Sequence, residues 1–127
     1  MKYRLMDILA CPICKHFPLK LIVFDEEKRE EIKPPKKTCE EYCGYESRFL
    51  SEIIEKKCEE CYSIEILEGI LICTKCNRWY PIIEEIPHML PDELREKKDD
   101  IKFLKKYKEK IPRDILEKGK PVNLSGS

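Results

Sequence analysis

The chain has 127 residues, and its 25 Lys and Arg balance 25 Asp and Glu, so the net charge at pH 7 is zero. This balance, without a block of basic residues, is unlike a protein held to nucleic acid by phosphate contacts. No apolar run approaches the roughly twenty residues of a membrane-spanning helix. The first residues also lack the apolar core of a signal peptide, which predicts a cytoplasmic protein.

Length and composition add two expectations. The length predicts one domain, or one small domain with an insertion. Gln is absent and Asn occurs only at positions 77 and 123, whereas Lys and Glu are abundant. This balance is usual in proteins of thermophiles, where intracellular disulfides also occur.

The N-terminal segment leads into a pair of cysteines. Residues 5–9 place three apolar side chains on one face of a helical turn, and Cys11-Pro-Ile-Cys14 follows directly. An apolar, partly β-branched run at 19–24 then predicts a strand. Because a two-residue spacer lets a tight turn aim both sulfurs at one point, this CxxC predicts half of a metal site.

Residues 25–65 are predicted to form an insertion. The segment 25–37 is rich in charge and ends in two prolines, which exclude helix and central strand and predict a solvated loop. In the segment 45–57 apolar residues recur at helical spacing, which predicts an amphipathic helix. The insertion is therefore expected to be a small helical lobe.

Four further cysteines lie in this lobe, as CxxxC and CxxC. They are Cys39, Cys43, Cys58 and Cys61. One interpretation is two disulfides across antiparallel segments, joining Cys39 to Cys61 and Cys43 to Cys58, each stabilising the fold by about 3 kcal/mol. The alternative is a second zinc site. The antiparallel spacing and the thermophile-like composition favour the disulfides.

The second CxxC of the ribbon is Cys73-Thr-Lys-Cys76. Strand-like runs at 70–72 and 79–83 flank it, so two hairpin arms each carry a cysteine turn. Cys11, Cys14, Cys73 and Cys76 together offer the four thiolates of a closed structural zinc site. The arrangement predicts a zinc ribbon that holds Zn²⁺. The competing interpretations are a pair of disulfides and a redox CxxC, and a redox CxxC belongs in a βαβ setting that the pattern lacks.

Residues beside the two cysteine turns refine this prediction. Asn77 follows the second turn at a position that often needs a positive φ, which Asn tolerates. Lys15 holds the equivalent place in the first turn and fits less well. His16 is an alternative ligand, although four cysteines already complete the site.

The segment after the second strand arm predicts an exposed sheet edge. A turn at Glu84-Glu85 separates two extended stretches, and the prolines at 81, 87 and 91 each remove a backbone donor, which favours edge strands. The apolar edge that follows would suit a partner protein. The residues predicted to bind that partner are Met1, Leu5, Ile86, Pro87, His88, Met89 and Leu90.

Beyond residue 91 the pattern is helical and charged. Asp92 is predicted as an N-cap, and an apolar stripe from Ile101 to Ile111 predicts a helix that ends before Pro112. The predicted fold class is α+β: a small zinc-ribbon-like β domain with an inserted α-helical lobe and a C-terminal helix. The expected ranges are 1–24 plus 66–95 for the ribbon, 25–65 for the lobe, and 96–127 for the C-terminal helix and loose tail.

Three stretches of the sequence resemble one family. They are Leu5-Met-Asp-Ile-Leu-Ala-Cys-Pro-Ile-Cys14, Gly69-Ile-Leu-Ile-Cys-Thr-Lys-Cys-Asn-Arg-Trp-Tyr-Pro-Ile82 and Ile86-Pro-His-Met-Leu90. Together they resemble the small zinc-ribbon activator subunit of tRNA, rRNA and release-factor methyltransferases. The long insertion resembles the archaeal-type form. Asn77 departs from the Gly that is common in the family.

This resemblance implies a non-catalytic subunit that binds a class I S-adenosylmethionine-dependent methyltransferase as a heterodimer and keeps it soluble and active. RNA would then be reached only through the partner. The residues agree, since the sequence has no Gly-rich nucleotide loop, no Ser/His/Asp constellation and no open-shell metal motif. The alternatives are a zinc-ribbon nucleic-acid-binding module, which zero net charge disfavours, and a redox or metal-delivery protein, which needs reactive, exposed thiols.

Overall fold

The computed structural model describes residues 1–29, 39–54 and 57–125. Its centre is a four-stranded antiparallel sheet in the order β1-β4-β5-β6, built from β1 (Lys20–Lys28), β4 (Ile64–Ile72), β5 (Trp79–Ile83) and β6 (Ile86–Pro87). The first three strands carry the β-branched and aromatic residues that the sequence predicted as ribbon arms. Glu84 and Glu85, both at positive φ, form the turn between β5 and β6, as predicted.

Along β1 and β4, the alternation of side chains between the two faces of the sheet is interrupted part-way. Ile66 points to one face and Ile70 to the other, although both are even-numbered and a regular strand would place them together. The β1–β4 register is irregular between Val23 and Asp25 and again between Asp25 and Glu26. Such irregularities turn the following side chains to the opposite face. The sheet therefore supplies buried residues to two separate cores.

The first core lies between the sheet, the ribbon cysteines and the N-terminal 3₁₀ helix (Tyr3–Asp7). Its fully buried members include Met6, Leu71 and Tyr80. The second core lies on the other face, under α2 (Lys97–Lys106) and α3 (Arg113–Lys118). Here the predicted single helix ends at Lys106 instead of Ile111, and a second helix begins after Pro112.

Trp79 is the centre of the second core and is fully buried. Its ring stacks on Phe103 with centroids 5.7 Å apart, and its Nε1 donates to the Val122 carbonyl at 2.8 Å. The Arg95 guanidinium lies over the same indole at 4.5 Å from its centroid. The C-terminal helices are thus part of the ribbon's core packing and not a separate appendage.

The lobe differs from its prediction. The expected helix over 45–57 is wrong, because the described residues of that segment form a turn, β3 (Arg48–Phe49) and a 3₁₀ helix (Leu50–Glu52). β3 pairs with β2 (Tyr42–Cys43), and α1 (Cys58–Tyr62) follows. Tertiary contacts override the helical pattern: Tyr45 packs edge-on against Tyr3 at 5.2 Å.

The predicted loop at 25–37 lies partly outside the described residues. Within them, β1 continues to Lys28 and pairs with Ile64 at the start of β4, so the sheet extends past the expected ribbon boundary at residue 24. The extra residues are charged and exposed on β1. Exposed charges at a sheet edge discourage pairing with other chains.

Asp7 fastens the lobe to the N-terminal 3₁₀ helix. Its carboxylate accepts the backbone N–H groups of Glu40, Glu41 and Tyr42 at 2.9, 2.8 and 2.8 Å. Partial burial raises the Asp7 pKa, but the three donors outweigh it and lower the value overall. Gly44 allows the same close approach, since a Cβ there would lie 2.4 Å from the Tyr3 carbonyl oxygen.

We predict that Asp7→Ala lowers the free energy of unfolding by roughly 1–2 kcal/mol at neutral pH. This is a small stabilisation for hydrogen bonds to a charged group, because solvent reaches the Asp7 carboxylate and screens its charge. Since the folded pKa is depressed, this contribution is present above the ordinary Asp pKa of about 3.9 and is lost as the pH falls through the folded value. Urea unfolding at pH 7 and pH 3 measures it. Asp114→Ala, an exposed acid on α3, is the control; an equal loss there would contradict the anchoring role.

Candidate metal centre

The two cysteine turns of the ribbon have the same backbone geometry. In the first, Cys11 N–H donates to the His16 carbonyl at 3.0 Å and Lys15 N–H to the Cys11 carbonyl at 2.8 Å. In the second, Cys73 N–H donates to the Arg78 carbonyl at 2.8 Å and Asn77 N–H to the Cys73 carbonyl at 2.9 Å. Equal spacing in sequence therefore produces two equivalent turns.

The residue that closes each turn adopts a left-handed conformation. φ is 66° at Lys15 and 62° at Asn77. The predicted positive φ after the second turn is thus confirmed, and the less suitable Lys15 adopts the same angle. A left-handed residue reverses the chain while leaving the preceding N–H groups directed at the cysteine sulfurs.

These turns bring four sulfur atoms together, which we call the ribbon quartet: Cys11, Cys14, Cys73 and Cys76. Their donor atoms all lie within 4.8 Å of one another, with Cys11–Cys76 at 3.8 Å and Cys14–Cys73 at 3.4 Å. Cys11 and Cys73 are buried, while the other two are half-buried. The sequence-predicted ligand set is therefore brought together as one cluster.

Charge within the quartet is unevenly distributed. Burial raises the pKa of the Cys11 thiol, but N–H donors from Cys14 and Ile13 and the Tyr80 hydroxyl lower it to about 6. Burial, together with the neighbouring Cys14 sulfur, raises the pKa of Cys73 to about 12. The hydrogen-bond donors thus favour a thiolate at Cys11, whereas burial disfavours one at Cys73.

A divalent zinc ion fits this donor set. Zn²⁺ takes four thiolates in a tetrahedron, and at a Zn–S distance of about 2.3 Å the sulfurs lie about 3.8 Å apart, close to the spacing observed here. The dication would remove the mutual repulsion of the thiolates. With four cysteine ligands the shell is closed, so such an ion would act structurally.

Side chains around the quartet were not identified from the sequence. The Tyr80 hydroxyl lies 3.3 Å from the Cys11 sulfur. Asp92 was predicted as a helix N-cap, but its carboxylate instead accepts Arg78 Nε and Nη2 at 3.0 and 2.8 Å. Asp92, and after it the Cys76 sulfur, raises the pKa of Arg78, which keeps a cation beside the quartet. The one sequence signal for these contacts with the quartet is that Arg78 and Tyr80 follow closely after Cys76.

His16 and the remaining cysteines lie outside this centre. His16 Nε2 is 3.2 Å from the Thr74 hydroxyl, so it bridges the two turns instead of joining the ligands. Within the described ranges, the ribbon quartet is the one group of three or more candidate ligands with such close donor atoms. None of the eight cysteines is disulfide-bonded in this structure, including Cys39, Cys43, Cys58 and Cys61, for which disulfides were predicted.

The residues predicted to bind a partner are divided between core and surface. Met1 is 4% exposed, and its amino group donates to Glu65 and to the Ile66 carbonyl at 3.0 and 2.9 Å. Leu5 and Met89 are partly buried against the first core. Pro87 and His88 are half-buried. Ile86 and Leu90, at 60% and 39%, are the exposed members.

Comparison with known proteins identifies the family. A family model described as Trm112p-like protein matches residues 2–85, which span both halves of the ribbon quartet and the lobe between them. The chain belongs to the Trm112p-like family. No curated protein matches the chain, and no solved structure does.

Members of the Trm112p-like family are non-catalytic activators that work with methyltransferase partners. The family match ends before β6, so the edge segment and both C-terminal helices of this Trm112p-like chain lie beyond it. None of the described helices has the length and apolarity required to cross a bilayer.

We predict that Cys73→Ser/Cys76→Ser removes one equivalent of zinc and unfolds the β4–β5 turn, because two sulfurs cannot hold the ion against solvent. Inductively coupled plasma mass spectrometry measures the metal, and circular dichroism the fold. His16→Ala is the matched control and should keep the zinc, since its ring contacts Thr74. Full metal content in the serine variant, or its loss in the control, would contradict the assignment.

Proposed function

We propose that this Trm112p-like chain is the activating and stabilising subunit of S-adenosylmethionine-dependent methyltransferases that act on tRNA, rRNA or translation factors. The observation that carries the proposal is an apolar, open sheet edge at β6, in a chain whose family activates methyltransferases. The class I partner and its substrates are inferred from the sequence resemblance. This chain would contribute no catalytic group and would act by binding the methyltransferase through its β6 edge.

The β6 edge supports pairing with a partner strand. Ile83 pairs with Ile86 and Ile82 with Pro87, and His88 N–H continues the ladder by donating to the Pro81 carbonyl at 2.9 Å. In an extended chain successive N–H groups point in opposite directions, so the Met89 N–H would point away from β5. An added strand would find this donor and the outward carbonyls, which is the basis of β-augmentation.

The opposite edge of the sheet is less suited to a partner. β1 ends in Asp25, Glu26, Glu27 and Lys28, all exposed. Lys110 Nζ also donates to the Phe24 carbonyl there at 3.3 Å. Charged side chains on an edge strand oppose pairing, so the two edges differ and β6 is the open one.

Exposed apolar side chains border the β6 edge. Ile86 and Leu90 lie on it, and Leu94 follows at 63% exposure. Leu90, Leu94 and His88 line a cleft of about 170 Å³ beside Arg95. Burying a side chain such as Leu or Ile contributes roughly 1.5–3 kcal/mol, so two or three anchors could dominate a small interface.

Leu5 and Met89 would contribute mainly by supporting this edge. Both pack against the first core, which also contains Cys11 and Tyr80. Met1 is too buried to meet a partner and serves the fold. The proposed contact surface therefore narrows from the predicted set to Ile86, His88, Leu90 and the flanking Leu94.

The first test is co-purification. A C-terminally tagged chain, recovered from its native cells, should bring down a methyltransferase. Ile86→Asp/Leu90→Asp should weaken that complex at least tenfold, because two exposed apolar anchors would be replaced by charges that resist desolvation. Isothermal calorimetry with the recombinant partner measures the change. Zinc content and circular dichroism should stay unchanged.

Ile54→Asp provides the matched control, since Ile54 is fully exposed on the lobe and carries the same chemistry. It should bind the partner like the unmodified chain. If Ile54→Asp breaks the complex and the edge variant does not, the interface lies on the lobe. If no methyltransferase is recovered at all, the proposed function itself fails.

A second candidate function, direct RNA binding, is favoured by one feature of the C-terminal region. Residues 95–120 contain eleven Lys and Arg against six Asp and Glu, although the whole chain is neutral. Lys102, Lys105, Lys106 and Lys108 are all exposed on α2 and the turn after it. A local positive surface of this kind can contact phosphates without base recognition.

Replacing those four lysines by Gln should reduce binding to bulk transfer RNA and flatten its salt dependence, since each lost phosphate contact removes about 0.7–0.9 from the slope of log K against log salt. Fluorescence anisotropy on the free chain measures both. The control neutralises four exposed lysines elsewhere, Lys15, Lys20, Lys57 and Lys75. Equal binding by both variants would remove this candidate and leave RNA contact to the partner.

A further inference from the structure

We propose that the lobe binds a second zinc ion through four cysteines, which we call the lobe quartet: Cys39, Cys43, Cys58 and Cys61. Nothing in the family assignment concerns this site, and it does not depend on the proposed partner. The reaction involves no oxidation. Each thiol that binds the ion releases its proton to solvent, and the sulfur lone pair forms the metal bond.

The spacing of the lobe quartet matches structural zinc sites, in which two or more residues separate paired ligands. Cys39 and Cys43 are separated by three residues, and Cys58 and Cys61 by two. The first pair brackets the entry to the β2–β3 hairpin, and the second lies in α1. Because residues three apart share one face of a helix, the two α1 sulfurs point the same way.

The fold brings the two pairs to one place. β2 and α1 both pack against the N-terminal 3₁₀ helix, and Asp7 holds the backbone at 40–42 against it. Cys61 packs on the first core. Both cysteine pairs are therefore carried by segments that pack on the same 3₁₀ helix.

Cys43 already has the backbone environment of a metal-bound cysteine. The Glu46 N–H donates to its sulfur at 3.4 Å. N–H donors from Cys14 and Ile13 support Cys11 in the ribbon quartet in the same manner. Such donors stabilise a thiolate and orient its lone pairs. The Cys43-Gly44-Tyr45-Glu46 turn therefore resembles a metal-binding turn more than a simple hairpin end.

The lobe quartet is wider than the ribbon quartet, since none of its described sulfur groupings meets the 4.8 Å spacing of the first centre. Tetrahedral zinc would draw the sulfurs to about 3.8 Å. The lobe could accommodate this closure, because β2 and β3 have two residues each and α1 has five. Segments so short bury little apolar surface, so a small unit of this kind needs a bound metal or a covalent cross-link for its stability.

Zinc explains these observations better than the predicted disulfides. Two disulfides need two exclusive pairs with Cβ atoms about 3.8 Å apart, whereas none of the four cysteines is paired here. Disulfides also need an oxidant, while the ribbon quartet needs thiolates that stay reduced in the same compartment. One set of reducing conditions allows both quartets to hold metal.

The test is metal stoichiometry of the full chain purified anaerobically with a thiol reductant and then desalted. Plasma mass spectrometry should find two zinc ions per chain. Cys58→Ser/Cys61→Ser should reduce this to one, and the ribbon variant Cys73→Ser/Cys76→Ser should also leave one. In each serine variant the two cysteines left at the emptied site should become reactive to iodoacetamide, while the four of the intact site stay protected.

Cys61→His separates zinc from disulfide and guards against a lobe that simply unfolds. Imidazole is a zinc ligand but cannot form a disulfide, so this variant should keep two zinc ions. One zinc per unmodified chain would overturn the proposal, whether the lobe thiols then react directly with iodoacetamide or require reduction first. Loss of zinc in Cys61→His together with two disulfides in the unmodified chain would establish the covalent alternative.

Discussion

The structure depends on one constraint, the convergence of four cysteine sulfurs from two turns far apart in the chain. Cys14 and Cys73 are separated by 59 positions, yet their sulfurs lie 3.4 Å apart. Without a cation, four thiolates at this spacing would repel one another. A bound dication would convert that repulsion into a cross-link between the entrance of β1 and the β4–β5 turn. The β5–β6 hairpin follows that turn, so the proposed partner edge is positioned by the same centre.

Side-chain contacts connect the second cysteine turn and β5 to the C-terminal helices. Arg78 links the metal turn to Asp92, while Arg95 donates from Nε to Asp100 at 3.0 Å and from Nη1 to the Trp79 carbonyl at 2.8 Å. Burial raises the pKa of Asp100, and the Arg95 cation opposes that shift. These pairs hold α2 against one face of the sheet. The helices cover that face, while β6 is an edge strand of the described sheet, as the proposed edge pairing needs.

The parts predicted correctly are those encoded by short local patterns. The CxxC spacing fixed the turns, the positive φ at Asn77 and the ribbon quartet, because a tight turn depends on only a few adjacent residues. The helix predicted over 45–57 failed for the opposite reason. Phe49 and Leu50 lie at helical spacing with later isoleucines, but Phe49 packs edge-on against Tyr42 at 5.4 Å and its strand pairs with β2. Contacts from distant residues there outweigh a weak local preference.

The four-cysteine donor set, the ribbon arms and the family resemblance could all be predicted from the sequence, since each depends on short contiguous motifs. Which apolar residues are accessible on the surface became visible only in the folded chain. Met1 and Ile86 look equally apolar in sequence, yet one is buried against Glu65 and Ile66 and the other is exposed at the β6 edge. Burial is a property of the whole packed chain, and the register irregularity in β1 and β4 that divides the sheet between two cores has no local signature. The pairing of Arg78 with Asp92 was likewise invisible, because it joins two side chains through the fold and not through their spacing.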